Sequence, residues 1–385
     1  METSETKKKR TKVQGKIDVA TLVVTLVLVF FGLIMMYSAS YASAIYMFGD
    51  GFRYIRTQAI YAVLGIIAML VISNINYRIL HRFSWLILGA TMLLMLITLF
   101  MPEINGARRW IIIGGFTFQP SELMKFAVIC IISHLASVNP KAMRDFKYGF
   151  LQPAIILIFV VGIMLLQRHL SGLIIILMLA ASVMFLGGTR TSLLMMSAAV
   201  AGLVILAVVL SGKFDYALSR FQVWRGSPET KSMGYQTFQS LVAIGSGGLF
   251  GLGLGNSRQK HLYLPEPHND FIFAIICEEL GLVAALTIIA LFIVFIIRGL
   301  RISLLAKDRF GALLAMGITL QVGIQALLNI AVVSNTIPNT GISLPFFSQG
   351  GTSLVILLAE VGVLLSVSKY SGTLMPVRKA EKGGD

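Results

Sequence analysis

Ten apolar runs, each about long enough to cross a lipid bilayer, dominate this sequence of 385 residues. They fall near residues 18–40, 55–75, 83–101, 121–138, 150–166, 170–187, 191–211, 271–297, 310–333 and 350–368. About 20 consecutive apolar residues span the hydrocarbon core as an α-helix, in which the backbone polar groups bond to one another. The pattern predicts an all-α, polytopic membrane protein with about ten transmembrane helices.

The composition excludes a water-soluble protein. Only 13% of the residues are charged and 56% are hydrophobic, whereas soluble domains carry about 25% charged residues. A net charge of +15 in a soluble protein would raise the question of nucleic acid, but basic residues retained on cytoplasmic loops explain it here, so we expect no nucleic-acid partner. Cys130 and Cys277 lie inside apolar runs and support neither a disulfide framework nor a thiolate metal site.

The distribution of basic residues predicts the orientation of the helices. Most of the 32 Lys and Arg residues fall on segments that are cytoplasmic if the N-terminus is inside, so both termini are expected in the cytoplasm. The chain then divides into a basic cytoplasmic N-terminus at 1–17, a ten-helix membrane domain at 18–369 and a cytoplasmic tail at 370–385. Within the membrane domain, a long extracellular loop at 212–270 separates spans 7 and 8.

The long loop is rich in aromatic and basic side chains. Its aromatics predict an amphipathic or re-entrant segment packed on the outer membrane surface. Its basic residues, which include Arg220, Arg258 and Lys260, favour contact with an anionic head group. A loop of this length is also translocated whatever its charge, so the alternative is that the charges have no such role.

Three polar residues cluster where this loop enters the eighth span: Glu266, His268 and Asp270. A carboxylate at the boundary between water and lipid could act as a general base, or could hold a divalent cation such as Mg²⁺ or Mn²⁺. Taken alone, Asp270 is better explained as a helix N-cap. Glu278 and Glu279 lie deeper in the same span, where they are either functional or a structural pair neutralised by another helix or by protonation.

A second polar set precedes and enters the fourth span. Glu122 and Lys125 share one helical face at i, i+3 and can form an ion pair near the outer leaflet. Arg108 and Arg109 lie beside Trp110, and arginine is suited to bidentate phosphate contact, with snorkelling at the interface as the alternative. In the ninth span a polar stripe indicates interhelical hydrogen bonds or, alternatively, a polar pathway; it consists of Gln321, Gln325 and Asn329.

We expect different structures for two segments that are rich in glycine. The segment at 245–255 superficially resembles a nucleotide-binding loop, but no strand precedes it, so we expect backbone flexibility or a hinge instead. The uncharged segment at 338–353, which contains Ser348, is dense in Pro, Gly and hydroxyl residues. Irregular backbone at membrane depth lines a cavity or is buried in protein. We expect a cavity beside Asp270.

Several motifs together resemble the SEDS family of bacterial cell-wall proteins. They are Gly-Ala-Arg-Arg-Trp at 106–110, Gln-Pro-Ser-Glu-Leu-Met-Lys at 119–125, Leu-Pro-Glu-Pro-His-Asn-Asp at 264–270, Glu-Glu-Leu-Gly at 278–281 and Leu-Pro-Phe-Phe-Ser-Gln-Gly-Gly at 344–351. The resemblance spans nearly the whole chain. The run Gly-Leu-Gly-Asn-Ser-Arg-Gln-Lys at 253–260 is more similar to the FtsW and SpoVE branch, which serves division and sporulation, than to the RodA branch.

The resemblance implies an inverting glycosyltransferase that polymerises lipid II into glycan strands on the outer face of the bacterial cytoplasmic membrane and releases undecaprenyl pyrophosphate. It implies that the partners are a class B penicillin-binding protein and other divisome or elongasome membrane proteins. It assigns Asp270 to the family's essential outer-loop aspartate, which acts directly or through a bound divalent cation. The predicted substrate-binding residues are Arg108, Arg109, Glu122, Lys125, Arg220, Glu266, His268 and Ser348.

One departure and two alternatives stay open. His169 stands where many members of the family carry Asp, so the role of that position is in doubt. Ten helices with intramembrane charges also fit a lipid II flippase, and a noncatalytic scaffold of the division complex is a third alternative.

Overall fold

The computed structural model describes residues 15–104, 106–113, 116–197, 199, 224 and 232–370. Its α-helices, in chain order, are α1 (Val19–Phe48), α2 (Arg53–Asn74), α3 (Arg78–Thr98), α4 (Pro120–Val138), α5 (Gln152–Leu166), α6 (Leu170–Leu186), α7 (Ser232–Ser246), α8 (Ile272–Leu304), α9 (Arg309–Val333) and α10 (Thr352–Tyr370). A hairpin of β1 (Ile111–Ile113) and β2 (Phe116–Phe118) precedes α4. A 3₁₀ turn (Ala142–Arg144) and a π-helical stretch (Phe146–Leu151) precede α5.

Among these described residues, eight helical stretches are long and apolar enough to span a bilayer: α1 to α4, Phe146–Leu166, and α8 to α10. The predicted sixth span is α6, an apolar helix of 17 residues. The predicted seventh span at 191–211 lies largely outside the described residues. So do most of the basic N-terminus and all of the tail after residue 370. The polytopic all-α fold is confirmed, while the count of ten spans stays a prediction.

Three helices form the interior of the bundle. In the most apolar 18-residue stretch of each helix, the share of buried residues is 72% in α4, 67% in α10 and 56% in α9. In α2 and α3 the buried shares are only 28% and 22%, so these helices present most of their surface to lipid. Polar side chains of α4, α9 and α10 therefore face protein, where they must find partners among themselves.

One end of the bundle, here called the Asp308 end, is closed by capped helices. Asp308 caps α9 by accepting a hydrogen bond from Gly311 N at 2.8 Å, and its carboxylate also accepts from Tyr77 Oη at 2.6 Å and Arg78 Nε at 2.8 Å. Burial tends to raise the pKa of Asp308, but these hydrogen bonds outweigh burial and lower it. Asp18 caps α1 and pairs with Arg298 at the same end. The opposite end, here called the Asp270 end, is the one predicted to face the exterior.

Helix α8 is broken at Gly281, where φ is 73°. The segment 247–253 lies against the break and bonds to its exposed backbone. Leu252 N donates to Glu278 O, and Gly253 N donates to Glu279 O, both at 2.9 Å. A Cβ atom at Gly251 would lie 2.1 Å from Glu279 O. The glycines of this segment thus allow two backbones to pack closely, which differs from the expected flexible hinge.

Gly281→Ala should destabilise the protein by about 2–4 kcal/mol, because the new Cβ combines a left-handed backbone with overpacking. It would lie 2.4 Å from Gly251 N, and backbone cannot swing aside. Thermal unfolding of the purified protein in detergent measures the change. Gly89→Ala in α3 is the matched control, since no atom lies within 4 Å of its Cβ position. An unchanged melting temperature in Gly281→Ala would contradict this account of the break.

Candidate functional site

Asp270 is half-buried at the point where the long loop enters α8. Its backbone carbonyl accepts a hydrogen bond from Asn329 Nδ2 at 2.7 Å, and the same amide group donates to Ile342 O at 2.7 Å. The N-cap residue of α8 is Phe271, with no side-chain cap bond, so the N-cap explanation of Asp270 is wrong. Asn329 thus bonds to two loop carbonyls, whereas Gln321 makes the predicted interhelical bond of the polar stripe, to Glu360 of α10. Asn329 fixes the backbone that carries the carboxylate.

The start of α6 lies next to Asp270. A Cβ atom at Gly341 would lie 3.2 Å from Asp270 Oδ2 and 4.0 Å from Ser171 Oγ, so Gly341 keeps the space between them open. Ser171 Oγ donates to Thr340 O and ties α6 to this segment. The residue that precedes α6 is His169. The loop that carries Asp270 and the loop that carries His169 therefore meet at the same end of the bundle.

His169 connects this region with the second polar set. Its side chain is buried, and its pKa is lowered to about 3 by burial first and then by the charges of Arg109 and Lys125. His169 is therefore neutral at physiological pH and lies within electrostatic range of both cations. The structure thus brings Arg109 and Lys125 to the part of the fold that also holds Asp270, although 160 residues separate Asp270 from the arginine pair in sequence.

Glu122 and Lys125 form the predicted ion pair. Lys125 Nζ lies 2.8 Å from Glu122 Oε2, and the two side chains are 2% and 17% exposed. Ser353 Oγ of α10 donates to the same carboxylate oxygen at 3.1 Å. Because both side chains are held between interior helices, this pair is far better fixed than an exposed ion pair.

A cavity of about 20 Å³, enough for about one water molecule, lies beside Glu122. The segment 343–350 forms much of its wall, as expected for irregular backbone at membrane depth. Its polar lining includes Glu122, Gln325, Ser348 and Ser353. Asp270 is not among the lining residues, so this cavity lies beside the ion pair of α4 rather than at the expected place.

The two arginines of the outer loop have different environments. Arg108 is exposed, with its Nε 3.8 Å from Glu103 Oε2 and its Nη1 donating to Leu99 O at 3.4 Å. Such surface contacts contribute little free energy and leave the guanidinium available. Arg109 is half-buried, and among the described residues its Nε has no hydrogen-bond partner. Arg220 lies outside the described residues.

The remaining predicted residues, His268, Glu266 and Ser348, lie in the loop before α8 or in the segment that packs against it. His268 is buried, with its ring centroid 4.7 Å from that of Tyr54. Burial lowers the pKa of His268 to about 4, against the opposing charge of Glu266. Its carbonyl accepts from Gln349 N at 3.0 Å, and Ser348 Oγ accepts from Leu344 N at 2.8 Å, so both residues hold loops together. Glu266 is exposed and accepts from Asn269 Nδ2 at 2.9 Å.

The described residues do not supply a complete metal site. Among them, no group of three or more Asp, Glu, His or Cys side chains could hold a metal ion. A divalent cation at Asp270 would need further ligands from substrate or water. The cation therefore stays a prediction, and no catalytic step is derived through it.

Comparison with known proteins shows which family has this architecture. The family model described as "Cell cycle protein", which covers FtsW, RodA and SpoVE, matches residues 19–373. The chain belongs to the FtsW/RodA/SpoVE family. It is 40% identical over 366 residues to Stage V sporulation protein E of Bacillus subtilis (strain 168), covering 92% of this chain and 97% of that protein. It is 38% identical to "Probable peptidoglycan glycosyltransferase FtsW" of Geobacter metallireducens, covering 92% and 96%.

Solved structures support the same assignment. A chain of the structure described as "Structural coordination of polymerization and crosslinking by a peptidoglycan synthase complex" matches with a TM-score of 0.78 and 26% identity, over 92% of this chain and 98% of that chain. Thermus thermophilus Rod shape determining protein RodA matches with a TM-score of 0.67 and 26% identity, over 91% and 96%. The protein is therefore a multi-pass membrane protein of the cytoplasmic membrane, as expected for this family.

In this FtsW/RodA/SpoVE family member, Glu278 and Glu279 form a structural network, which decides between the two explanations left open by the sequence. Glu279 accepts from Lys260 Nζ at 2.8 Å and from Ser38 Oγ of α1 at 2.6 Å. Glu278 accepts from Ser257 Oγ and from Arg258 N. The expectation that Lys260 faces an anionic head group is wrong, because its side chain is 5% exposed and paired with Glu279.

Glu360 of α10 stands outside the predicted site residues of this FtsW/RodA/SpoVE protein. It is 2% exposed, its Oε2 accepts from Gln321 Nε2 at 2.7 Å, and it lies within electrostatic range of Lys125 and Glu122. A signal was present in the sequence, since Glu360 is the one acidic residue of the last apolar run. An acidic residue at such depth is a functional candidate by default.

His169 gives the protein a testable pH dependence. Its pKa of about 3 in the folded state lies below its ordinary value of 6.5, so the unfolded chain binds more protons between these values. The His169 contribution to stability is complete above pH 6.5 and is lost as the pH falls toward 3. His169→Asn, which cannot titrate, should show a smaller fall in melting temperature on acidification than the wild type. The exposed His261→Asn should keep the wild-type slope. Equal slopes for His169→Asn and wild type would contradict a buried neutral His169.

Lys260→Met should lower the stability by about 3–5 kcal/mol, because it leaves the buried Glu279 carboxylate without its cation. Thermal unfolding in detergent measures the effect. The neighbouring Arg258→Met is the matched control, since Arg258 is exposed and uses only its backbone N to bond Glu278. If both variants melted at the wild-type temperature, the structural role of the Lys260–Glu279 pair would be refuted.

Proposed function

We propose that this protein is a peptidoglycan glycosyltransferase that polymerises lipid II into glycan strands at the outer face of the cytoplasmic membrane, in division or sporulation. The observation that carries the proposal is the placement of Asp270, half-buried at one end of the bundle beside the α6 start that also brings in Arg109 and Lys125. The names of the FtsW and SpoVE relatives support the same activity.

Asp270 acts as the general base in this proposal. Its carboxylate accepts the proton of the acceptor GlcNAc 4-hydroxyl as that oxygen attacks C1 of the lipid-linked MurNAc. The new C1–O bond forms while the bond from C1 to the pyrophosphate oxygen breaks, so the anomeric configuration inverts. A positioned general base contributes about 10²- to 10⁴-fold to the rate. Asn329 holds the backbone of Asp270 for this role.

Cationic side chains stabilise the leaving group. Undecaprenyl pyrophosphate gains negative charge as it departs, and preorganised cations nearby lower the barrier. Arg109 is the best placed of the described cations, because its Nε has no hydrogen-bond partner among the described residues and can receive a phosphate oxygen. Lys125 also lies within electrostatic range of His169, and exposed Arg108 extends the predicted set. Arg220, which completes this set, lies outside the described residues.

The apolar body of the protein serves lipid-linked substrates. Both substrates carry long polyprenyl tails that stay in the bilayer while their sugars lie at its surface. Helices α2 and α3 leave most of their surface to lipid, so a tail can approach the bundle from the side. This explains why an enzyme for hydrophilic sugars has 56% hydrophobic residues.

The partner assignment follows from the structural neighbour. Its description joins polymerization and crosslinking in one synthase complex. For this chain we infer a class B penicillin-binding protein as the cross-linking partner, together with other divisome or elongasome membrane proteins.

Asp270→Asn and Asp270→Ala should abolish glycan polymerisation by the purified protein, by at least about 10²-fold, because they remove the proton acceptor. The measurement is the formation of glycan polymer from lipid II in detergent or vesicles, with thermal unfolding as the check on folding. Asp50→Asn is the matched control. Asp50 lies between α1 and α2 with its side chain 41% exposed, and it pairs only with Arg56 at 3.1 Å among the described ion pairs.

A fully active Asp270→Asn variant would overturn the assignment of the base. A wild-type protein that moves intact lipid II across vesicles without forming polymer would instead support the flippase alternative. A noncatalytic scaffold would be supported if neither polymer nor transport appeared while Asp270 variants still sustained growth.

A further inference from the structure

Of the buried side-chain oxygens that have no hydrogen-bond partner among the described residues, two belong to the same contact. They are Gln321 Oε1 and Glu360 Oε1. The other atoms of these two groups already meet, since Gln321 Nε2 donates to Glu360 Oε2 at 2.7 Å. Both side chains are 2% exposed, and they lie on the interior helices α9 and α10. The two remaining oxygens of this contact are both acceptors, so one added proton is needed to join them by a hydrogen bond.

A proton on Glu360 supplies that hydrogen. A carboxylic acid and a primary amide pair through two parallel hydrogen bonds, in which the amide N–H donates to one acid oxygen and the acid O–H donates to the amide oxygen. The first of these bonds is present. With a proton on Glu360 Oε1, the second bond forms to Gln321 Oε1, and both remaining acceptors are satisfied at once. An ionised Glu360 would leave both without a donor, which is unfavourable in a buried site.

The surrounding charges agree with a neutral Glu360. The charged groups within electrostatic range of it are Lys125 and Glu122, both on α4. Lys125 Nζ is already paired with Glu122 Oε2 at 2.8 Å, and among the described ion pairs it makes none with Glu360. Lys125 therefore has its counter-ion, and a second carboxylate beside it would be a buried charge without a partner of its own.

We propose that Glu360 is a proton-binding site inside the membrane, held as a neutral acid–amide pair with Gln321, and that its neutrality keeps the charged groups around His169 net positive. With Glu360 and His169 neutral, the described charged groups within electrostatic range of these two residues comprise two cations, Lys125 and Arg109, and one anion, Glu122. An ionised Glu360 would cancel the remaining positive charge. The link to a pyrophosphate group rests on the proposed function, whereas the bound proton does not.

Infrared spectroscopy of the full-length protein in lipid nanodiscs tests the bound proton directly. The wild type should show the carbonyl stretch of a protonated carboxylic acid at neutral pH, and Glu360→Gln should lack it. Gln321→Leu should keep the band but shift it to higher frequency, because the acid loses its N–H donor. Glu103→Gln is the control and should leave the band in place, because the Glu103 side chain is 46% exposed. A wild-type spectrum without this band, or a band that persists unchanged in Glu360→Gln, would overturn the proposal.

Activity gives the second readout. Glu360→Gln preserves the volume, the neutrality and a hydrogen bond to Gln321, so it should retain at least half of the wild-type polymerisation rate. A ten-fold loss in a folded Glu360→Gln variant would show that the negative charge is needed and would refute the neutral site. If the infrared result holds but the wild type makes no polymer, the proton site stands and only the proposed function fails.

Discussion

The membrane interior offers no water to a polar side chain, and this constraint determines how α4, α9 and α10 fit together. Each buried polar group must find its partner in protein, because leaving it alone in hydrocarbon costs several kcal/mol. Lys125 therefore pairs with Glu122, Gln321 with Glu360, and Asn329 with two backbone carbonyls. These contacts align three helices that apolar packing alone would leave free to slide or rotate.

Two polar networks result, and they differ in how completely their atoms are satisfied. The network of Lys260 and Glu279 joins α1, α8 and the loop that precedes α8, and Glu279 accepts bonds at both oxygens. Around the candidate site, in contrast, several buried atoms lack a partner among the described residues: Arg109 Nε, His169 Nδ1, His268 Nδ1 and Thr340 Oγ1. Unmet hydrogen-bonding capacity is what a site for a polar head group provides before its ligand arrives.

The sequence predicts the helices and part of the site because both depend on local pattern. Apolar runs of membrane length mark the spans, and the i, i+3 spacing of Glu122 and Lys125 is sufficient to predict their ion pair. The break at Gly281 is not predictable in this way, since it depends on a segment that packs against it from about 30 residues away along the chain. The burial of Lys260 also depends on a tertiary contact. A count of loop charges therefore cannot distinguish this buried, paired lysine from an exposed one. The sequence also does not show that Glu360 contacts Gln321, and the proposed role of Glu360 depends on that contact.

The broken helix has a mechanical consequence. The short piece of α8 before Gly281 begins beside Asp270, and its far end is bonded to the segment 247–253 and, through Glu278 and Glu279, to residues 257–260. It is thus coupled more firmly to the loop before α8 than a continuous helix would be. A displacement of that loop would therefore be transmitted along this short helix to the backbone of Asp270.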